Sequence, residues 1–186
     1  MLLFVGLGNP TPDSENNRHN VGFKIIDAIN KKFSLSKQKP KFKGLLTTGN
    51  IDGMKIYAIK PLTFMNNSGI CIRELLEYFK FNAEDVIVFH DDLDVEFGKI
   101  KAKFGGSSAG HNGIASIDKF IGKDYSRVRV GIGKPKTSME ISDYVLQNFD
   151  EDELMRIDKI SENITESIGD LIKKKLDSFS STVNNK

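Results

Sequence analysis

The side chains best suited to acid–base chemistry in this sequence are its histidines, because an imidazole gains and loses a proton near neutral pH. There are three, His19, His90 and His111, each followed directly by Asn or Asp. None lies in an apolar stripe, and each falls in a predicted loop or at a predicted helix start. Their setting indicates chemistry but does not say which of them acts.

Two kinds of hydrolytic site fit these residues. In the first, a histidine takes a proton from water, a carboxylate orients it, and amide side chains hold a carbonyl group. In the second, a metal is bound by ligands drawn from His19, His90, Asp91, Asp94 and His111. The i, i+4 histidine spacing of a zinc-binding helix is absent, and the carboxylate-rich run is also typical of a plain turn. The first alternative is therefore favoured, with no metal and no cofactor.

The elements that must position these residues follow from hydrophobic periodicity. Short apolar runs predict buried strands over residues 2–7, 55–59, 86–89 and 128–132. Residues 99–104 alternate strictly, so that Lys99, Lys101 and Lys103 would form a positive stripe on one strand face. Apolar spacings of three and four predict helices after Asn20, after Ser68, after Asn112 and over residues 154–171. Alternating strands and helices predict the α/β class.

The composition bounds the rest. A chain of 186 residues with 39% hydrophobic and 28% charged residues suits one globular domain. We expect that domain to span residues 1–177, with a flexible polar tail over residues 178–186. No apolar run approaches the ~20 residues of a membrane span, and the N-terminus reads as a strand, not a signal peptide. The single cysteine, Cys71, excludes an internal disulfide and fits a cytoplasmic setting.

Polar residues cluster where the predicted strands end. Asn9 follows the first strand, Asn66 follows the second, and His90 with Asp91 follows the third. A glycine-rich loop over residues 105–113 follows the positive strand. Because ligands of open α/β sheets bind beyond the carboxyl ends of the strands, we expect the site at this edge.

Six stretches in order resemble the signatures of bacterial-type peptidyl-tRNA hydrolases. They are VGLGNP with RHNVGF (5–23), KPLTFMNNSG (60–69), HDDLD (90–94), the loop ending GHNG (105–113), RVGIGKP (129–135) and YVLQNF (144–149). The resemblance implies a single-domain three-layer α/β/α sandwich with a mixed twisted sheet. It also implies a monomeric enzyme that hydrolyses the ester between a peptide, or an N-acyl amino acid, and tRNA.

The resemblance assigns roles to individual residues. His19 would be the general base, Asp91 would orient its imidazole, and Asn9 would lie beside the reacting carbonyl and recognise a blocked peptidyl end. Six further positions bind substrate by the same resemblance: Ser14 in the first loop, Phe64 near the ester, Asn66 and Asn112 on peptide and water, and Lys103 with Arg129 on tRNA phosphate.

Each assignment has a plainer alternative. Asn9 could only form a turn with Pro10, Asn66 and Asn112 could only cap helices, and Phe64 could be core. His90 and His111 are interpreted as structural. The lysines of the positive stripe, with Arg127, could be a solvated face.

Ser14 departs from the family pattern, in which a tyrosine is usual at this position. The loss of the ring predicts weaker or altered substrate holding, with the base and its orienting carboxylate intact. Whether the lysine-rich loop over residues 34–44 contacts RNA stays open. A non-catalytic RNA-binding relative of the same fold is the alternative function, which the presence of His19, Asp91 and Asn9 disfavours.

Overall fold

A seven-stranded sheet organises the chain in this computed structural model, which describes residues 1–186. The strands are β1 (Leu2–Gly6), β2 (Lys39–Lys41), β3 (Gly44–Ile51), β4 (Met54–Pro61), β5 (Val86–Asp92), β6 (Ile100–Phe104) and β7 (Ser126–Gly131). Their order is β2-β3-β4-β1-β5-β7-β6. The four central strands are parallel, and β2, β3 and β6 pair antiparallel. The prediction of a mixed sheet is confirmed.

Helices cover both faces of this sheet. They are α1 (Val21–Lys32), α2 (Ser68–Phe79), α3 (Asn112–Ile121), α4 (Ile141–Val145), α5 (Glu151–Glu166), α6 (Ile168–Ile172) and α7 (Leu176–Asn184). Alternate residues of β1 enter different cores: Phe4 packs in the cluster that includes α1 and α5, and Val5 in the cluster that includes α2 and α3. The three-layer sandwich is therefore confirmed. No helix combines the length and apolarity that crossing a bilayer requires.

A close backbone approach brings the start of α1 against the strand ends. A Cβ added at Gly22 would lie 2.4 Å from both Leu7 N and Phe89 O, so no larger residue fits there without displacement. Gly6 faces this contact, and a Cβ on it would lie 2.2 Å from Gly22 O. The two glycines thus set the turn before α1, which carries His19, directly over the ends of β1 and β5.

The predicted strands and three of the predicted helices are present, but two strands were missed. The sequence of β3, GLLTTGNI, mixes apolar and polar residues without a clear period. It forms because it pairs along its whole length with β4. Its partner β2 lies inside the lysine-rich segment over residues 34–44, which was treated as a loop.

The long helix predicted over residues 154–171 is two helices. The chain leaves the helical conformation at Ser167 (φ −105°, ψ 10°), between α5 and α6. Ile164 and Ile168 are buried on either side of the break. Because the apolar spacing continues across it, the periodicity does not reveal the interruption.

The prediction of a flexible tail over residues 178–186 is wrong. Most of this segment lies in α7, and its two apolar side chains, Phe179 and Val183, are 0% and 4% exposed. They are spaced by four residues and therefore share one helix face. The polar residues around them hid this short stripe.

Helix α7 also covers the free edge of β6. The side chain of Asn184 accepts a hydrogen bond from Ile100 N and donates one to Ile100 O, each at 2.9 Å. Ser180 Oγ accepts from Ala102 N at 2.8 Å. An edge strand exposes unpaired backbone groups, and these side chains pair them. The domain therefore extends through α7 instead of ending at residue 177.

Candidate active site

The site forms where the turn before α1 meets the end of β5. His19 lies in a short 3-10 turn, Arg18–Asn20, and Asp91 lies near the end of β5. His19 Nδ1 is 2.8 Å from Asp91 Oδ2, and both residues are buried. The structure thus joins two residues that are 72 positions apart in the sequence.

A second histidine, His111, contacts the same carboxylate. Its Nε2 is 2.8 Å from Asp91 Oδ1, and its ring centroid is 4.9 Å from that of His19. Its Nδ1 accepts hydrogen bonds from Gly113 N and Ile114 N, so it caps α3. The interpretation of His111 as structural therefore holds for Nδ1, which caps α3, but misses the contact of Nε2 with Asp91. The sequence signal for this contact was the position of His111 after a glycine-rich loop and directly before a helix.

The electrostatics of Asp91 follow from its two partners. Burial alone would raise the pKa of this carboxyl, but the neighbouring His19 and His111 outweigh burial and hold it well below its ordinary range. Asp91 is therefore an anion at neutral pH. The pKa of His19 is affected in the opposite sense, since burial lowers it while the charge and hydrogen bond of Asp91 raise it above 6.5 overall.

The ionised state of Asp91 determines which His19 nitrogen is free. A carboxylate accepts hydrogen bonds only, so His19 Nδ1 must carry the proton that it donates to Asp91. In the neutral ring the lone pair is then on Nε2. His19 Nε2 makes no hydrogen bond within the protein. The imidazole therefore presents a free base to the cleft.

Asn9 is held at both its backbone and its side chain. Asn20 accepts from Asn9 N at 2.8 Å and donates to Asn9 O at 2.9 Å. Asn9 Oδ1 accepts from Met65 N at 2.8 Å, which leaves its Nδ2 as a donor without a protein partner. Asn20 is thus a positioning residue that the sequence analysis did not single out.

Phe64 is 52% exposed, so the alternative that it belongs to the core is wrong. Its φ of 60° with ψ of 157° lies in a region that residues other than glycine rarely occupy. It precedes the turn that carries Asn66, whose exposed side chain makes no hydrogen bond and caps no helix. Both side chains are therefore available to a bound molecule.

Asn112 opens α3 and is exposed at the rim of the cleft. The interpretation of Asn112 as a helix cap is wrong, because the cap is the preceding His111. The amide of Asn112 is consequently not engaged by the helix start.

A cleft of about 360 Å³ opens beside the two histidines. His19, Asp91 and His111 line it together with the loop of residues 108–110. Leu93, Ile141 and Val145 add apolar side chains to its lining. Asn9 lines a separate groove of about 300 Å³, which it shares with Asn20 and Lys60.

The basic residues of β6 and β7 differ from one another. Lys103 is exposed and forms no ion pair. Arg129 is paired through Nε with Asp92 Oδ2 at 2.7 Å, so part of its charge is already balanced, which the phosphate assignment did not anticipate. Arg127 is 4% exposed and donates to Gly105 O and Ser107 O, so it holds the glycine-rich loop and is not a solvated residue.

Ser14 is not brought to the site. It is 7% exposed, and its hydroxyl shares a 2.6 Å hydrogen bond with that of Thr11. It lines neither the cleft beside His19 nor the groove beside Asn9. The prediction that Ser14 contacts the substrate directly is therefore not supported by its placement.

The donor set does not favour a metal centre. His19, Asp91 and His111 place their nearest ligand atoms within 4.8 Å of one another. However, the nitrogen of each histidine that faces Asp91 is an N–H donor, and such a nitrogen has no lone pair for a metal. His90 does not belong to this set of possible ligands. It is buried and donates to Asp91 O, and burial lowers its pKa to about 3.

Comparison with known proteins identifies a family whose model spans the chain. The family model described as peptidyl-tRNA hydrolase matches residues 3–186. The peptidyl-tRNA hydrolase of Pelagibacter ubique is 78% identical over 186 residues, which is 100% of both chains, and that of Bacillus subtilis is 44% identical over 160 residues, or 86% of this chain and 85% of the relative.

The fold agrees as well. The crystal structure of peptidyl-tRNA hydrolase from Acinetobacter baumannii superposes with a TM-score of 0.91 at 31% identity and covers 99% of this chain and 94% of that chain. The family match extends to the last residue, in line with the packed helix α7. The chain belongs to the peptidyl-tRNA hydrolase family.

Proposed function

We propose that this protein hydrolyses the ester between a peptide, or an N-acyl amino acid, and the tRNA of a peptidyl-tRNA. The products are a free carboxylic acid and a free tRNA that can re-enter translation. Membership of the family supports this substrate class. The observation that carries the proposal is the His19–Asp91 hydrogen bond, which leaves His19 Nε2 free to accept a proton.

The reaction needs one base and one proton relay. His19 Nε2 takes a proton from a water molecule while its oxygen attacks the ester carbonyl. The anion of Asp91 stabilises the imidazolium that forms. When the carbon–oxygen bond to the ribose breaks, the imidazolium returns the proton to the leaving ribose oxygen. A positioned base of this kind contributes about 10²- to 10⁴-fold to the rate.

Uncharged donors would hold the substrate carbonyl. Asn9 offers a free Nδ2 that its own backbone contacts keep fixed, and the exposed amides of Asn66 and Asn112 add adaptable hydrogen bonds. A pre-set donor on a developing oxyanion contributes on the order of 10²- to 10³-fold. Since amides are neutral, they do not retain the carboxylate product. Phe64 would pack against the substrate near the ester.

The tRNA would approach from the edge of the sheet that carries β6 and β7. Lys101 and Lys103 are exposed there and line a shallow depression beside α7 together with Arg129. Such lysines bind phosphates without reading sequence, which suits a substrate shared by all tRNAs. Because Arg129 is paired with Asp92, we assign the stronger electrostatic contribution to Lys103.

The test is release of N-acetyl amino acid from an acetyl-aminoacyl-tRNA, with a chelator present, by wild type and by His19→Ala. We expect release by wild type only. Circular dichroism and tRNA binding of His19→Ala serve as controls for fold and substrate affinity. Turnover by His19→Ala at the wild-type rate would contradict the assignment of the base. Binding of tRNA by an inactive wild type would favour the non-catalytic alternative instead.

A further inference from the structure

The two ring nitrogens of His111 have different partners, and both are engaged. Nδ1 lies 3.1 Å from Gly113 N and 3.2 Å from Ile114 N, at the start of α3. Nε2 lies 2.8 Å from Asp91 Oδ1. The ring is almost fully buried, with 9% of its side chain exposed. It therefore bridges a helix terminus and the carboxylate that orients His19.

The helix terminus determines the tautomer of His111. A backbone N–H can only donate, so the Nδ1 that receives two of them must present its lone pair. The ring proton of the neutral imidazole is then on Nε2, where it can be donated to Asp91. His111 consequently has no free lone pair to offer a water molecule. Of the two histidines that contact the Asp91 carboxylate, only His19 can act as the base.

We propose that His111 is a positioning residue for the hydrolysis proposed above: α3 fixes its tautomer, and its Nε2–H holds Asp91 Oδ1 so that Oδ2 stays on His19. This inference rests on the proposed function. It adds a second donor to the His19–Asp91 pair and gives the buried Asp91 a partner for each oxygen.

The second donor affects both geometry and charge. With one oxygen held by His111, the carboxylate of Asp91 cannot rotate away from His19. The negative charge is also shared between two N–H groups, so less of it stabilises the protonated form of His19. Removal of the His111 bond should therefore loosen His19 and favour its imidazolium. Misplacement of a reacting group by about 1 Å can lower a rate by roughly 10²-fold.

Other ionisable groups around this pair stay in place when only residue 111 changes. They are His90 and Asp92 on β5, Arg127 and Arg129 on β7, Arg18 beside His19, Glu153 against Arg18, and Asp94 with Lys134 at the cleft wall. A change in the pH dependence of His19 on substitution of His111 would thus report the lost Nε2–H bond.

Two conservative variants separate the two ends of the ring. His111→Asn carries its amide at about the reach of Nδ1, so it can cap α3, since Asn is a preferred cap, but it cannot reach Asp91. His111→Gln carries its amide at about the reach of Nε2, so it can donate to Asp91 but caps α3 poorly. Each variant therefore keeps one of the two functions of His111. His111→Asn keeps the cap on α3, and His111→Gln keeps the hydrogen bond to Asp91.

We expect His111→Asn to keep a near-wild-type Tm, to lower kcat by about 10- to 100-fold, and to shift the acid limb of kcat/KM to higher pH. We expect His111→Gln to have a lower Tm but to recover most of kcat and the wild-type acid limb. Two results would overturn the inference and leave His111 as a cap of α3 only. One is a loss of kcat in each variant in proportion to its loss of Tm, and the other is a wild-type rate and pH profile in His111→Asn.

A second readout does not depend on turnover. Nitrogen NMR of the imidazole rings should show His111 as the Nε2–H tautomer, and the His19 pKa should rise in His111→Asn. An Nδ1–H tautomer for His111, or an unchanged His19 titration, would overturn the inference even if the wild type is inactive. An inactive wild type with the expected NMR result would instead count against the proposed function alone.

Discussion

Replacement of Asp91 by asparagine gives a test that depends on the whole arrangement. The side chain keeps its shape, but one oxygen becomes an NH₂ group. His111 must donate from Nε2, because its Nδ1 serves α3. The asparagine oxygen will therefore turn toward His111, since the opposite orientation would set two donors against each other. The NH₂ group then faces His19 Nδ1 and donates to it.

This exchange reverses the tautomer of His19. A ring that accepts at Nδ1 carries its proton on Nε2, so it presents a donor where the reaction needs a base. The substitution also removes the anion that stabilises the imidazolium. An Asp→Asn change in the Ser-His-Asp triad, which also imposes the wrong tautomer, lowers kcat by about 10⁴-fold. We expect Asp91→Asn to lower kcat by about 10³- to 10⁴-fold, with KM little changed.

The assay is single-turnover release of N-acetyl amino acid from acetyl-aminoacyl-tRNA between pH 5 and pH 9. Asn50→Asp is a matched control, because it makes the reverse exchange of amide and carboxyl at an exposed residue of β3 that contacts no histidine and does not line the cleft. A rate for Asp91→Asn within about tenfold of wild type across this range would refute the tautomer argument. So would full recovery at high pH, since a wrong tautomer is not corrected by deprotonation.

Further predictions concern pH, strain, tRNA and the C-terminal helix. Because Asp91 raises the His19 pKa, the acid limb of wild-type kcat/KM should have its midpoint above pH 6.5, and activity should be lost as the pH falls through that midpoint. A pH–rate profile with its midpoint below 6.5 would contradict this. Phe64→Gly should raise stability by about 1 kcal/mol in urea unfolding, because glycine tolerates the positive φ, while KM rises; equal stability would argue against strain. Lys103→Ala should reduce the slope of tRNA affinity against salt by about one, and the control is Lys99→Ala, a lysine just before β6 that donates to Asn184 O. Asn184→Ala should destabilise the fold by roughly 1–3 kcal/mol, as it leaves both backbone groups of Ile100 unpaired, and an unchanged Tm would show that the edge of β6 needs no cover.

Local sequence determined most of the elements that surround the site. The buried runs that became β1, β4, β5 and β7 are apolar enough to form strands in any α/β context, and the stripes of α1, α2 and α3 have helical spacing. The motifs around His19 and Asp91 supported the family and the activity before any contact was known. These features depend on residues that lie close together in the chain.

The tertiary structure decided what depends on distant partners. Strand β3 forms because it pairs with β4. Helix α7 is held in place because Phe179 and Val183 are buried and because Ser180 and Asn184 hydrogen-bond the open edge of β6. Neither partner is visible in the local pattern of the segment itself. Residues 178–186 were predicted to be a flexible tail because the segment is mostly polar, and its sequence does not show that Phe179 and Val183 are buried against the rest of the fold.

The same limit applies to the site. Ser14 and Arg129 were assigned to substrate by their positions in the motifs, but the fold buries the first and pairs the second with Asp92. Conversely, His111 contacts Asp91 because the fold brings the start of α3 to the end of β5. The sequence alone therefore predicted the residue types that the chemistry needs, whereas the tertiary structure decided that Asp91 contacts both His19 and His111 and which nitrogen of His19 carries the proton.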